Sequence, residues 1–483
     1  MWNIISLWAV GVIVIGISHW VYKWKNPKCR GILPPGSMGL PIIGESFQYF
    51  SSHSYQGIPP FIAKRTARYG TLFKTSLLGQ PVVISTDPEI NHYVFQQEEK
   101  LFRCWYTKSA IELTGMQGLI ANDGVVHKYL RSFILSLIGP EGLKRDLLSE
   151  IDLVTRKHLH CWARRGEVDV KEATAIMLFI FFAGKILGCD EQEALELREH
   201  YKAFYNGFLS FPVNVPGTAF HACLQGRKNA VKVIKDIFKK RKLSKEKRDE
   251  KDFLDYLFQE VDNDEALLTE AIAVDAIFLL IFAAYETTSS SITLLLKHLK
   301  DRPDVLGQLM EEHGQIRRNR VDKDAPISWV EYKSMTFTQM VTNETVRLAN
   351  IVPGIFRIVL KDVDIKGYTI PAGWIFMVCP SSVHLDPTKY ASPLTFNPWR
   401  WKDEELHSAS KKFMAFGGGI RLCAGADLSK VQTSIFLYYL LENYSWNVTN
   451  DGNIVRQPGL IFKKALRIQI REIQRENDKE IIA

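Results

Sequence analysis

The chain has 483 residues, 46% of them hydrophobic and 24% charged, with a formal net charge of +8 at neutral pH. Its length allows two or three domains, yet no Gly-, Ser- or Pro-rich linker and no internal repeat divides it, so one large, mainly helical unit is expected. The basic residues are scattered among acids, which disfavours nucleic acid and leaves an acidic protein or a membrane surface as partner.

The seven cysteines are odd in number and widely spaced, which reads as reduced thiols in a cytosol-facing protein. From Trp2 to Tyr22 there is no Lys, Arg, Asp or Glu. At 1.5 Å per residue a helix there spans roughly 30 Å, enough to cross a bilayer. Lys23, Lys25, Lys28 and Arg30 follow the apolar run where a cleavable signal would have them first, so residues 1–22 are expected to be a transmembrane signal anchor with the remainder in the cytosol. A buried core helix is the lesser alternative. Residues 23–45 hold Pro34, Pro35, Gly36, Gly39, Pro41 and Gly44, a basic, proline-rich hinge before the catalytic domain at 46–483.

Residues 70–76 and 80–85 are β-rich around Gly79 and predict a hairpin. From Leu101 to Gly124 the pattern loses its period, which suggests a loop over a cavity with Trp105, Met116, Leu119 and Ile120 as substrate contacts. A helix then sets His127 and Arg131 one turn apart on one face, with a solvent-facing pair as the lesser alternative. Phe211-Pro212 and Pro216-Gly217 break a later helical stretch beside Phe204, Phe208, Leu209 and Phe211. The cluster Lys239 to Arg248 reads as a solvated helix end.

Leu267 to Leu299 is the longest helical pattern and is apolar nearly all round, so it should run through the core. Midway stand Ala283-Ala284-Tyr285-Glu286-Thr287-Thr288. An acid and two hydroxyls are costly to bury unless hydrogen-bonded, and they are what proton delivery to reducing O2 requires; a Glu salt-bridged in the core is the plain alternative. Glu344 and Arg347 share a helix face. Ile351 to Arg357 is a proline-broken strand, Leu460-Ile461-Phe462 a last apolar tip, and the run from Arg471 to Lys479 is expected to fray.

The stretch Phe416-Gly417-Gly418-Gly419-Ile420-Arg421-Leu422-Cys423-Ala424-Gly425 organises the rest. Its glycines allow a tight turn against a flat ligand, and the helix that follows should lower the Cys423 pKa. A thiolate so held suits the axial position of haem iron and monooxygenase chemistry. Zinc is disfavoured because no second Cys or His lies nearby at ligand spacing. The stretch matches Phe-x-x-Gly-x-Arg-x-Cys-x-Gly without a mismatch and so resembles the cysteine signature of the cytochrome P450 superfamily.

The resemblance implies a mainly α fold with a small β-sheet region (α+β), haem b lying between the long central helix and the cysteine-loop helix. It implies Cys423 as iron ligand, Thr287 and Glu286 as the oxygen-activating pair, and Arg131, His127, Arg357, Arg421, Phe416, Gly417, Gly425 and Ala283 around the cofactor. His127 stands where Trp is commoner, and Ala284 where Gly is. Glu344, Arg347 and Arg400, the last within Asn397-Pro398-Trp399-Arg400-Trp401, are implied as a structural triad. Phe208, Leu280, Ala284, Val352, Ile355, Phe356 and Ile461 join the substrate contacts.

The details around Pro212 to Thr218 and Pro326 to Thr338 look most like plant members that oxidise sterols, brassinosteroids and tetracyclic triterpenoids. This implies NADPH-cytochrome P450 reductase as partner, its FAD and FMN relaying electrons, with Lys128, Lys411, Lys412 and Lys430 as docking cations, and an endoplasmic-reticulum membrane location. A haem enzyme rearranging fatty-acid hydroperoxides and a non-catalytic membrane-tethered sterol or haem binder are the rivals; Thr287 and the uninterrupted cysteine loop speak against the first, and the retention of both Glu286 and Thr287 against the second.

Overall fold

The computed structural model describes residues 2–243, 253–261, 267–402 and 411–474. The first helix, α1 (Trp2–Lys25), ends in Lys23 and Lys25 and exposes Trp8, Val10, Val12, Ile13, Val14, Ile15 and Ile17. The proline-rich segment behind it is packed against the sheet. The Trp24 indole Nε1–H donates to Met38 O (3.2 Å), Lys74 Nζ donates to Pro34 O (2.9 Å), and Gly36 bridges Lys74. Glycine is required at 36, where a Cβ would lie 2.0 Å from Lys74 O.

The hairpin forms as expected from β1 (Leu72–Leu77) and β2 (Gln80–Ser85). The region from 101 to 124 is more ordered than its pattern suggests. It holds β3 (Phe102–Cys104) and α2 (Lys108–Thr114), whose Thr107 side chain caps Ala110 N–H. Three-residue strands and two-turn helices are too short to show a period. The helix carrying His127 and Arg131 is α3 (Gly124–Ile138). Then follow β4 (Glu167–Asp169), α4 (Val170–Leu187), α5 (Glu191–Phe208) and α6 (Ala219–Leu243). Residues 244–248 of the expected solvated cluster lie outside the described residues.

The central helix, α7 (Glu270–Leu299), starts at Thr269, whose hydroxyl accepts Ile272 N–H (3.3 Å). Ser289, Ser290 and Thr293 return their protons to backbone carbonyls one turn back (Ser289 to Tyr285 O, 2.6 Å; Ser290 to Glu286 O, 2.9 Å; Thr293 to Ser289 O, 2.7 Å), which offsets the cost of burying them. This helix is long and apolar enough to span a membrane, but 56% of its apolar window is buried inside the protein, so its hydrophobicity is used in the core. Helix α8 (Thr336–Ala349) and the last helix, α9 (Ala426–Asn443), complete that core.

A five-stranded sheet runs in the order β1-β2-β6-β5-β3, with β5 (Ile355–Val359) and β6 (Ile375–Val378). The β2–β6 pair is parallel and the others antiparallel, and the register sets Cys104 opposite Arg357. The described residues close with a long hairpin, β7 (Tyr444–Arg456) and β8 (Leu460–Glu472), flanked by His53–Ser54 and β4. Arg471 is not frayed, because it pairs with Ser445 inside the β7–β8 ladder; residues 475–479 of the expected frayed run lie outside the described residues.

Lys430 is a correction of a different kind. Nearly every position of α9 is buried, Lys430 included, at 5% exposure. Its ammonium lies 5.7 Å from the Phe416 ring, and burial pulls its pKa down, so it is a core residue and no docking cation. Lys411 and Lys412 are exposed, with Lys411 paired to Glu89 (2.6 Å), and Lys128 pairs with Glu99 (3.2 Å).

Candidate active site

Cys423 sits three residues before α9, in a loop that closes on itself. Its N–H donates to Phe416 O (2.9 Å), and Gly417 N–H donates to Met414 O (3.0 Å). Gly417 and Gly419 have φ of +81° and +67°, and a Cβ on Gly419 would approach Phe95 O to 2.7 Å, so the turn needs glycine there. The side chain opens onto accessible space although protein walls it on most sides. Burial therefore pushes the thiol pKa up, against the downward pull of Gly425 N–H and the Arg131 charge. That reverses the expected direction for the protein alone; a coordinating metal deprotonates a thiol outright.

Cations gather beside this loop. Arg131 Nη1 donates to Leu422 O (2.5 Å); Arg421 donates to Leu119 O (3.1 Å), Asn122 O (2.6 Å) and Asp123 Oδ1 (2.7 Å). Arg357 faces Glu98 at 3.0 Å, both side chains 2% exposed. Burial, then the Arg421 and Arg131 charges, push His127 down to about 4, so it is neutral at physiological pH. His127 Nδ1 and Arg421 Nε are buried without a hydrogen-bond partner among the described residues. Three arginines and an unsatisfied imidazole around an accessible thiol fit a haem, whose propionates would answer the cations and whose iron would take the sulfur.

On α7 the predicted motif divides between two faces. Ala283 and Thr287 are exposed one turn apart, with Thr287 Oγ1 donating to Ala283 O (2.8 Å). Glu286 turns inward, 9% exposed, to Lys171 Nζ at 2.7 Å, and Tyr205 OH hydrogen-bonds it as well. Lys171 also donates to Ser289 Oγ (2.9 Å). The salt-bridged reading of Glu286 is thus what the geometry shows, with Thr287 next to it on the open face.

Of the apolar candidates, Trp105 packs on Phe356 (ring centroids 6.1 Å), and Phe208 on Phe204 (5.4 Å) and Phe282 (5.3 Å). Ile355 abuts the cysteine loop, its Cδ1 3.8 Å from where a Cβ on Gly417 would be. Leu119, Ile120, Leu280 and Ala284 are half-buried. Met116, 75% exposed, and Val352, 48%, stand out in solvent and are not brought together with the others; Ile461 is at the edge.

Beneath the loop, Glu344 accepts five N–H donors: Arg347 Nε and Nη2, Arg400 Nε, Trp401 Nε1 and Asn397 N, at 2.8 to 3.1 Å. Arg347 also donates to His384 O (2.5 Å), and His384 Nε2 accepts Met414 N–H (3.0 Å), which ties this cluster to the cysteine loop. Sequence reasoning missed Lys171, Glu98 and His384. Lys171 is the lone cation in the first three turns of an apolar helix, a legible oddity. Nothing local marks Glu98 or His384, since their partners are distant in the chain.

A family model described as Cytochrome P450 matches residues 34–471. Cytochrome P450 87A3 of Oryza sativa subsp. japonica is 49% identical over 455 residues, 94% of this chain and 88% of that one. Beta-amyrin 16-alpha-hydroxylase CYP87D16 of Maesa lanceolata is 40% identical, covering 97% and 99%, and Cucurbitadienol 11-hydroxylase of Siraitia grosvenorii is 39% identical, again covering 97% and 99%.

Proposed function

Because the chain belongs to the cytochrome P450 family, in its plant sterol- and triterpenoid-oxidising branch, and is a haem-thiolate monooxygenase, we propose that it oxidises a sterol or tetracyclic triterpenoid. Electrons come from NADPH through NADPH-cytochrome P450 reductase. The observation that carries this reading is the accessible Cys423 thiol on a loop pinned by Arg131 and Arg421, with His127 and the Arg357–Glu98 pair beside them. When bound, haem supplies the activation of O2 for insertion into a C–H bond. Cys423 would hold its iron through the thiolate, and Arg131, Arg357 and Arg421 would hold its carboxylates.

Thr287 Oγ1 holds a proton on the open face of α7 and can pass it towards O2, re-forming its bond to Ala283 O afterwards. Glu286, one residue back, is anchored inward by Lys171 and fixes the turn of α7 that presents Thr287. Trp105, Phe356, Ile355 and Phe208 offer apolar area, which a steroid skeleton needs more than polar pairing. Further oxidation at neighbouring carbons, ending in side-chain cleavage, is within the same chemistry. Residues 1–22 anchor the protein in the endoplasmic-reticulum membrane, 23–45 lead from it, and 46–483 form the catalytic domain on the cytosolic side; the exposed apolar surface of α1 supports this.

The test is incubation of the full chain with reductase, NADPH and a panel of sterols and tetracyclic triterpenes, read by mass spectrometry. Oxygenated product is expected only with NADPH. Thr287→Ala should lower product about 100-fold while NADPH oxidation continues into hydrogen peroxide. Product that forms equally without NADPH would overturn the reading.

A further inference from the structure

Residues 115–123 connect α2 to α3 and are held at both ends. At one end Asp275 of α7, two turns before Ala283, accepts Gln117 N–H (3.2 Å) and pairs with Arg227 of α6 (2.5 Å). The pair is mostly enclosed, with side-chain exposures of 14% and 19%, and the Arg227 guanidinium lies 5.6 Å from the Phe278 ring. At the other end Arg421, two residues before Cys423, binds Leu119 O, Asn122 O and Asp123. The segment therefore crosses from the helix that carries Thr287 to the loop that carries Cys423.

Its sequence is fitted to the Asp275 carboxylate. A Cβ on Gly115, where φ is +116°, would lie 2.4 Å from Asp275 Cγ, and one on Gly118 would lie 3.3 Å from Asp275 Cβ. Two glycines against one aspartate let the backbone come close enough to donate a hydrogen bond.

We propose that Asp275 is a positioning residue which, with Arg227, latches residues 115–123 across the space between Thr287 and Cys423 and so sets the size of molecule that reaches it. The proposal rests on the haem-site reading above. Releasing the latch frees the Gln117 end while Arg421 still holds the other, so the segment swings from the cysteine loop. Large ligands gain from this, whereas small ones already pass.

The full chain and its Arg227→Met and Asp275→Asn variants would be compared in two ways: hydrogen exchange of residues 115–123, and stopped-flow binding of imidazole and of the bulky clotrimazole, followed by the haem absorbance. Exchange should quicken in both variants, and clotrimazole association should rise about fivefold, the scale of losing one partly enclosed ion pair, with imidazole unchanged. Gly118→Ala, which keeps both charges, should move both readouts in the same direction. Unchanged exchange and clotrimazole rates in both charge variants, or an equal rise for imidazole, would overturn the latch. If the parent chain binds no haem, the functional reading fails, and exchange alone still decides the latch.

Discussion

Glu286 shows how one side chain can match a motif and yet depend on a partner the motif does not contain. Its carboxylate is enclosed with the Lys171 ammonium, and removing one member of such a pair leaves the other charge buried. Lys171→Met should therefore lower unfolding free energy by about 3–5 kcal/mol, and adding Glu286→Gln should restore most of it, as measured by urea denaturation. A single variant as stable as the parent would show that water reaches the carboxylate. His127 differs again. With its pKa near 4 it stays neutral between Arg131 and Arg421, so it can donate a hydrogen bond to an anion without adding to their repulsion.

Among the elements, α8 and the turn at Pro398–Trp401 are joined by the five donors that converge on Glu344 and by the packing of Phe337 on Trp399 (ring centroids 5.5 Å). Glu344→Gln keeps the shape but leaves the fully buried Arg347 and the nearby Arg400 without a countercharge. A loss of about 3–5 kcal/mol in urea unfolding is expected, and a change under 1 kcal/mol would mean that the arginines find other partners. The pairing of Glu344 with Arg347 was legible from helical spacing, and the course of α7 from its unbroken apolar run. The placement of Lys430 was not. A lysine beside Asp427, Ser429 and Gln432 looks like a solvent-facing residue until neighbours on every side are known, and here nearly every position of α9 is buried. The motif at Thr287 was read correctly as a helix, but which face carried the acid depended on Lys171, 115 residues earlier in the chain.

Taken as a whole, the molecule keeps neutral histidines in its interior. His313 and His384 are fully enclosed, and burial first of all pushes both down to about 3. His384 Nε2 is occupied by Met414 N–H and its Nδ1 donates to Asn350 Oδ1 (2.7 Å), so a second proton would break the first bond. Because the folded pKa values lie below the unfolded value of about 6.5, the stabilisation is complete above pH 6.5 and is lost as pH falls towards 3, each ring contributing a slope of ~1.4 kcal/mol per pH unit. The urea midpoint should drop steadily from pH 7 to 5, and a flat profile would indicate that these rings are solvated.

The Trp24 indole bears on where the polypeptide can be shortened at its N-terminal end. It belongs to the last turn of α1 but packs with Leu33 and Met38 on the sheet cluster, so helix and globule share it. Trimming that begins the polypeptide at Lys28 discards this plug along with the greasy rod and bares an edge of the sheet. Trimming to Tyr22 removes the rod and leaves the plug in its socket.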